Sequence, residues 1–330
     1  MAVWAAAPRF LQAHAFVLAG VAGALASAGC STVAVWAAPE KKAEPNRSSE
    51  AQTANREFWE ALHGGHYDAI PRVLDQLEAV YLANPRDPDT TAHIGFAHIW
   101  RLSESARQEK LSPTITDDIV LARKYFDEAV RLSPKDARFL GFLGGLELAE
   151  GNVHGDEKLT RRGYFDLMSA KDAWPEFNLF TAGYSMSDLP PTDKHFVEGV
   201  DYQWETLDLC AETKVDRANL DFAPYMAKET TQGVKRACWN SWIAPHNFEG
   251  FFLNMGDMIV KQGDPEVAKR VYAQAKLSKT YASWPYRAVL EERITHASEN
   301  VEPFRSPVRG EKTRTPMITS VFSCTGCHQG

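Results

Sequence analysis

The sequence predicts an all-α protein built from stacked helical hairpins, and three observations carry that expectation. From Ala54 onward the apolar residues recur at intervals of three and four, one ladder of small and bulky residues returns four times, and no stretch alternates as a strand does. With 330 residues, 44% of them apolar and 24% charged, the chain is long enough to bury a large core. Its 18 Pro and 21 Gly are too few for a collagen-like or low-complexity protein. The 36 basic and 43 acidic side chains leave a formal charge of -7, which removes the electrostatic reason to expect nucleic acid and hints at a basic partner.

The first 30 residues read as a targeting segment. Residues 16–38 carry no charged side chain and follow a leader whose basic side chains are Arg9 and a histidine. Ala26, Ser27 and Ala28 form an A-x-A cleavage site, while Ser27-Ala28-Gly29-Cys30 resembles a permissive lipobox with Ser27 where Leu is usual. An uncleaved anchor is the third possibility, since about 20 apolar residues can span a bilayer. All three deliver the remainder outside the cytoplasm, with Cys30 as the lipidation candidate. Residues 31–53, including the polar run PEKKAEPNRSSEAQT, read as a flexible tether.

Residues 54–296 read as the helical repeat domain. In ARKYFDEAVRLSPKD, Ala122, Phe126, Ala129 and Pro134 follow offsets of four, three and five. The ladder returns as Val73, Leu77, Val80 and Pro85, as Gly163, Leu167, Ala170 and Pro175, and as Ala268, Tyr272, Ala275 and Thr280. Preceding helices are marked by Trp59 and Leu62, by Leu140, Leu143 and Gly144, and by Phe252, Met255 and Gly256. This pattern resembles the tetratricopeptide repeat, in which small, aromatic and small residues share one face of the second helix and let a neighbour approach. The resemblance implies a solenoid with a concave docking face. The proline markers at 85, 134 and 175 stand further apart than the family's 34 residues, which predicts insertions at 107–116 and 153–159. No unit can be registered between 176 and 250, although FNLFTAGYSM, FVEGVDYQWETLDLC and FAPYMAKETTQGVKRACWNSW look helical, so that region is expected to be irregular as a repeat. Trp174-Pro175 and Trp284-Pro285 are expected to start helices.

Residues 297–330, with Pro303, Pro307 and Pro316, read as an extended tail long enough to fold back on any part of the array. Near its end stand Cys324, Thr325, Gly326, Cys327 and His328, the C-x-x-C-H signature of covalent c-type haem attachment. Two thiols at this spacing can meet two vinyl groups while the adjacent imidazole ligates iron, so one haem c is expected on Cys324 and Cys327 with His328 as the proximal axial ligand. A redox dithiol and a zinc site are the competing readings, though neither a sheet nor a second ligand pair accompanies the motif. In compact cytochromes c the motif lies near the start and the fold wraps the ring; here upstream helices must do so. The chain resembles cytochromes of the c-prime type in the placement of the motif alone.

The distal ligand is open between Met317, close in the chain, and His246, ahead of the last paired helices. Met255 reads as packing, and His63, His66, His93, His98, His154, His195 and His296 read as surface or core histidines. Cys210 and Cys238 form either a disulfide across the irregular middle or two buried thiols. No acid/base pair, nucleophile or phosphate loop is visible, so an electron carrier is expected before a substrate-converting enzyme. The expected function is an exported, membrane-tethered monohaem cytochrome that exchanges single electrons with a docked redox partner or membrane complex. A non-redox envelope adaptor and a haem sensor or peroxidase-like enzyme with an open iron site are the alternatives.

Overall fold

A computed structural model describes residues 33–240, 244–306 and 314–330. Two units separate, residues 1–42 and residues 43–330. In the first, the described residues are one exposed helical turn at 33–36 and extended chain. The targeting segment and Cys30 lie outside the described residues. Among those described, no helix is long and apolar enough to cross a membrane.

The second unit is a helical-hairpin, solenoid-like array, and the described residues contain no strand. Its hairpins are α1 (Ser49–Gly64) with α2 (Ile70–Ala83), α3 (Pro88–Ser103) with α4 (Asp117–Leu132), α5 (Ala137–His154) with α6 (Glu157–Ala173), α7 (Pro175–Met186) with α8 (Lys194–Ala211), and α9 (Phe248–Gln262) with α10 (Pro265–Gln274). Short helices α11 (Arg287–Thr295), α12 (Val301–Arg305) and α13 (Thr325–His328) follow. Ser48, Asp156, Asp193, Asn247 and Asp264 cap helix starts through their side chains, satisfying amides that the helix leaves without partners.

The ladder is buried in every unit where it was recognised: Leu77, Ala122, Ala129, Leu167, Ala170, Ala268 and Tyr272 are all 0% exposed. It works by close approach. A Cβ on Gly95 of α3 would stand 2.8 Å from the Phe126 ring, one on Gly144 of α5 would stand 2.8 Å from the Gly163 carbonyl, and one on Gly256 of α9 would stand 2.2 Å from Tyr272. In these three hairpins the first helix therefore seats a glycine against the ladder of the second.

Five expectations are corrected. Helix α1 begins at Ser49, and the Glu44 amide donates to the Arg86 carbonyl, so the tether is shorter than 31–53. The insertion at 107–116 does separate α3 from α4, but 153–159 is a tight turn in which Gly155 takes φ 65°. The extra length of that unit lies instead in helices of 18 and 17 residues. Residues 176–211 are not irregular: α7 and α8 form a hairpin carrying the ladder as Gly199, Gln203, Thr206 and Ala211. Gln203, 0% exposed, fills the aromatic slot, and its side-chain amide would meet a Cβ on Gly183 of α7. A polar residue in that slot hides the unit from hydropathy. Among the described residues the irregular stretch is 212–240, with short 3-10 turns that the Cys210–Cys238 disulfide ties to the end of α8. Pro175 opens α7, whereas Pro285 stands two residues ahead of α11.

The tail is the fifth correction, because its described part is docked and contains two short helices. Phe304, Met317 and Phe322 enter the core. The Met317 amide donates to Asp257 Oδ2 at 2.8 Å, and Asp257 Oδ1 accepts from Tyr272 at 2.6 Å and pairs with Arg293 at 3.0 Å. Burial raises the Asp257 pKa, and the arginine opposes that shift. The array thus receives the chain end at a fixed polar point inside an apolar core.

Candidate functional site

The motif helix α13 lies where α1, α3, α7 and α9 converge. Gly250, in the first turn of α9, permits the contact, since a Cβ there would stand 2.7 Å from the Gly326 carbonyl and 2.8 Å from Cys327 Cα. The Asn247 amide donates to the Cys327 carbonyl at 2.6 Å, and its side chain donates to the Gln329 carbonyl at 3.1 Å. From α7, the Tyr184 hydroxyl donates to the Ser323 carbonyl at 2.9 Å. Gln329 donates to the Gly64 carbonyl at the end of α1, where Gly65 turns the chain with φ 67°.

Glu104 organises the other side. Its carboxylate is 0% exposed, and Oε1 accepts from the Cys324 amide at 3.0 Å, the Thr325 amide at 2.8 Å and the Thr325 hydroxyl at 2.9 Å. Oε2 accepts from Trp100 Nε1 at 3.0 Å and pairs with Arg107 at 2.9 Å. Arg107 donates in turn to the Val321 carbonyl at 2.7 Å and to Thr325 at 2.9 Å. The first amides of α13 therefore meet a buried carboxyl whose pKa is raised by burial, a shift that Arg107 and the Thr325 and Trp100 donors oppose. Nothing in the local sequence marks Glu104 as the receptor of the motif, because Cys324 lies 220 residues away.

Both motif thiols are unbonded, although Cys210 and Cys238 of the same chain are joined. Burial pushes both thiols well above the usual range; the Glu104 charge adds to this at Cys324, as the neighbouring Cys324 does at Cys327. Cys324 packs against the core of the first hairpins and Cys327 belongs to that of the last ones. A nucleophilic dithiol needs a lowered pKa in a cationic setting, which is the opposite of this environment.

His328 lies edge-on to Phe96, with ring centroids 5.4 Å apart, and to His63 at 6.2 Å. Desolvation, with smaller contributions from His63 and His246, pushes its pKa down to about 3. The imidazole borders a cavity of about 80 Å³ lined by first helices of successive hairpins: Trp59 of α1, His93 and Phe96 of α3, Phe142 of α5 and Phe177 of α7, with Arg138, Ala244 and Pro245 at its sides. Among the described residues no group of three or more His, Cys, Asp or Glu side chains is gathered to hold a metal ion by itself.

No family model, curated protein or solved structure matches this chain. The geometry therefore has to separate the two distal candidates. Met317 is 0% exposed and packs behind α13, its methyl 2.8 Å from where a Cβ of Gly326 would be, and it does not line the cavity. His246 stands between Phe180, 4.3 Å away, and Phe251, at 5.0 Å. Its Nδ1 donates to the Asn247 carbonyl at 3.0 Å, and its buried Nε2 has no hydrogen-bond partner. Burial lowers its pKa to about 4. His246 borders the cavity through its neighbours Ala244 and Pro245 but does not line it. His93, which the sequence presents as an ordinary core histidine, does.

Proposed function

We propose that this chain is an exported monohaem c-type electron carrier, with its haem joined to Cys324 and Cys327, ligated by His328 and seated in the groove formed by the first helices of the array. The observation that carries the reading is the docked chain end: two unbonded, neutral thiols three positions apart, with an imidazole presented to an aromatic cavity. The residues fit the group in kind. Each thiol can add across a vinyl group, the sulfur bonding one carbon and the thiol hydrogen ending on the other, so the step consumes no oxidant. The haem supplies one-electron cycling between iron(II) and iron(III).

The chain's own residues do the rest. Glu104, Asn247 and Tyr184 hold the motif backbone, and Gly250 admits it. Trp59, Phe96, Phe142 and Phe177 provide apolar walls that exclude water. A cavity of about 80 Å³ is smaller than the roughly 150 Å³ that accepts a benzene ring, so seating a porphyrin requires the half-buried Trp59 and Phe142 to part. Delivery beyond the cytoplasm by the N-terminal segment agrees with c-type attachment there, and the Cys210–Cys238 bond suits an oxidising compartment. The partner in this reading is a redox protein or membrane complex docked on the array, with the membrane reached through the N-terminus.

The test is the full chain co-expressed with a c-type maturation system. We expect a Soret band and a mass increase equal to one haem that survives denaturation, and we expect Cys327→Ala to abolish the two-bond attachment while leaving far-ultraviolet helicity intact. A colourless chain with the mass of its polypeptide and lipid alone overturns the reading and leaves an envelope adaptor.

A further inference from the structure

We propose that the docked chain end is a latch over the C-x-x-C-H motif: the array binds residues 321–329 by their backbone as an intramolecular ligand, and Cys327 becomes reactive only when that segment is released. The proposal rests on the haem reading above only for what Cys327 finally meets; the latch is built from this chain's own contacts. The two thiols are placed differently. Cys324 is half-buried, whereas Cys327 is 4% exposed and lies with Phe251, Met317 and Phe322 in the apolar cluster of the last hairpins. Neither lines the cavity that His328 borders, so that cavity brings no incoming group to either sulfur. Turning the Cys327 side chain does not free it, because the main chain around it is fixed. A Cβ on Gly250 would stand 2.8 Å from Cys327 Cα, and the Cys327 carbonyl accepts from the Asn247 amide at 2.6 Å.

The same grip continues on either side of Cys327. Arg107 donates to the Val321 carbonyl at 2.7 Å and the Tyr184 hydroxyl to the Ser323 carbonyl at 2.9 Å. The Cys324 and Thr325 amides donate to Glu104, and the Asn247 side chain donates to the Gln329 carbonyl at 3.1 Å. These partners come from α7, from just past the end of α3 and from the start of α9. All of them hold main-chain groups, so no change of rotamer within 321–329 relieves them. The helix they hold, α13, has 4 residues, too few to persist alone in water. Releasing the segment therefore melts α13, and Cys327 passes from a buried helical setting to an extended, solvated one. Met317 and Phe322 oppose release: both are buried in the core, and a Cβ on Gly326 would stand 2.8 Å from the Met317 methyl and 3.2 Å from the Phe322 ring. The docked form is thus the resting one, and release is a local opening of the fold. In the haem reading, bond formation at Cys327 belongs to the released segment.

The test reads Cys327 alone, in the full haem-free chain carrying Cys324→Ala, by the rate at which iodoacetamide labels it. The sulfur loses its proton and displaces iodide, and the mass reports the product. Cys210 and Cys238 are bonded to each other and stay silent. We expect labelling more than about tenfold slower than in the same chain unfolded in urea. Glu104→Ala should speed it at least about fivefold with far-ultraviolet helicity intact, because the Thr325 amide loses its acceptor. Tyr184→Phe keeps the ring, loses the bond to Ser323 and should speed labelling about threefold; it decides the matter if Glu104→Ala loses helicity. Labelling of the folded chain within about tenfold of the urea rate overturns the latch. So does a slow rate that Glu104→Ala leaves unchanged, or that Tyr184→Phe leaves unchanged where Glu104→Ala loses helicity, since packing alone would then cover the sulfur. Haem takes no part in these rates. A slow, Glu104-dependent Cys327 in a chain that never acquires haem sustains the latch and overturns the haem reading; fast labelling in a chain that does acquire haem does the reverse.

Discussion

Replacing Glu104 by alanine tests whether the chain end is held by the carboxylate or only by apolar packing. The side chain is completely buried and serves five partners: the Cys324 and Thr325 amides, the Thr325 hydroxyl, the Trp100 indole and Arg107. Arg107 is partly exposed and keeps the Val321 carbonyl, so water can replace much of what it loses. The Thr325 hydroxyl keeps Tyr286 at 2.6 Å. The two amides and the indole have no such recourse, and each buried donor left without an acceptor costs about 1–3 kcal/mol. These losses overlap because the donors share one cavity, so about 4 kcal/mol is expected in total. That is a large share of the roughly 5–15 kcal/mol that holds a typical domain folded. Part of the loss should appear as local release of residues 314–330 before global unfolding. Glu104→Gln should cost about half as much: one oxygen can still serve the amides, but an N–H₂ then faces the Trp100 and Arg107 donors. Urea denaturation with hydrogen exchange at the Thr325 amide would measure both effects. A loss under about 1 kcal/mol for Glu104→Ala, with Thr325 still protected, would refute the reasoning.

The remaining predictions concern the scaffold and its pH response. Cys210→Ala with Cys238→Ala should lower stability by about 3.5 kcal/mol on the loop-entropy estimate for a sequence separation of 28, read as a drop in the urea midpoint that reductant does not deepen. Gly163→Ala places a methyl 2.6 Å from the Gly144 carbonyl and should cost about 1–3 kcal/mol by forcing α5 and α6 apart, with the thermal midpoint as the readout. In the haem-free Cys324→Ala/Cys327→Ala chain, His93, His246 and His328 have folded-state pKa values below the unfolded value of about 6.5. Their contribution is full above that value and is lost as pH falls, because the unfolded chain then binds protons the folded one refuses. Adding His246→Phe to that chain should therefore flatten the fall in stability between pH 6.5 and 4. Glu147 behaves oppositely: burial, then Asp166, raise its pKa to about 7, so stability falls as pH rises from about 4.5 toward 7. Glu147→Gln should help more at pH 8 than at pH 5, and a pH-independent effect would show that the carboxyl is not protonated in the folded state.

Sequence reading reached the helical fold because helix formation and hairpin packing leave a local trace. Ala122, Phe126 and Ala129 lie on one face through nothing but the 3.6-residue turn, and their burial follows from that. The same reading missed the α7–α8 hairpin because Gln203 occupies the slot where hydropathy looks for an aromatic. It gave the tail no helix because α12 and α13 are each little more than one turn, stabilised by what they rest on. The pairing of Cys210 with Cys238 was one of two readings reached by counting cysteines in a chain expected to be exported, whereas Glu104 left no signal at all.

By itself, then, the sequence determined the periodicity, the repeated glycine and ladder positions and the placing of two thiols and an imidazole together at the chain end. Those are properties of neighbours along the chain, where spacing fixes what can share a face. The tertiary structure decided which buried carboxylate receives that end and which cavity His328 borders. Ten histidines look alike in sequence. They are told apart by the rings and oxygens that surround each one, and these come from residues far away in the chain.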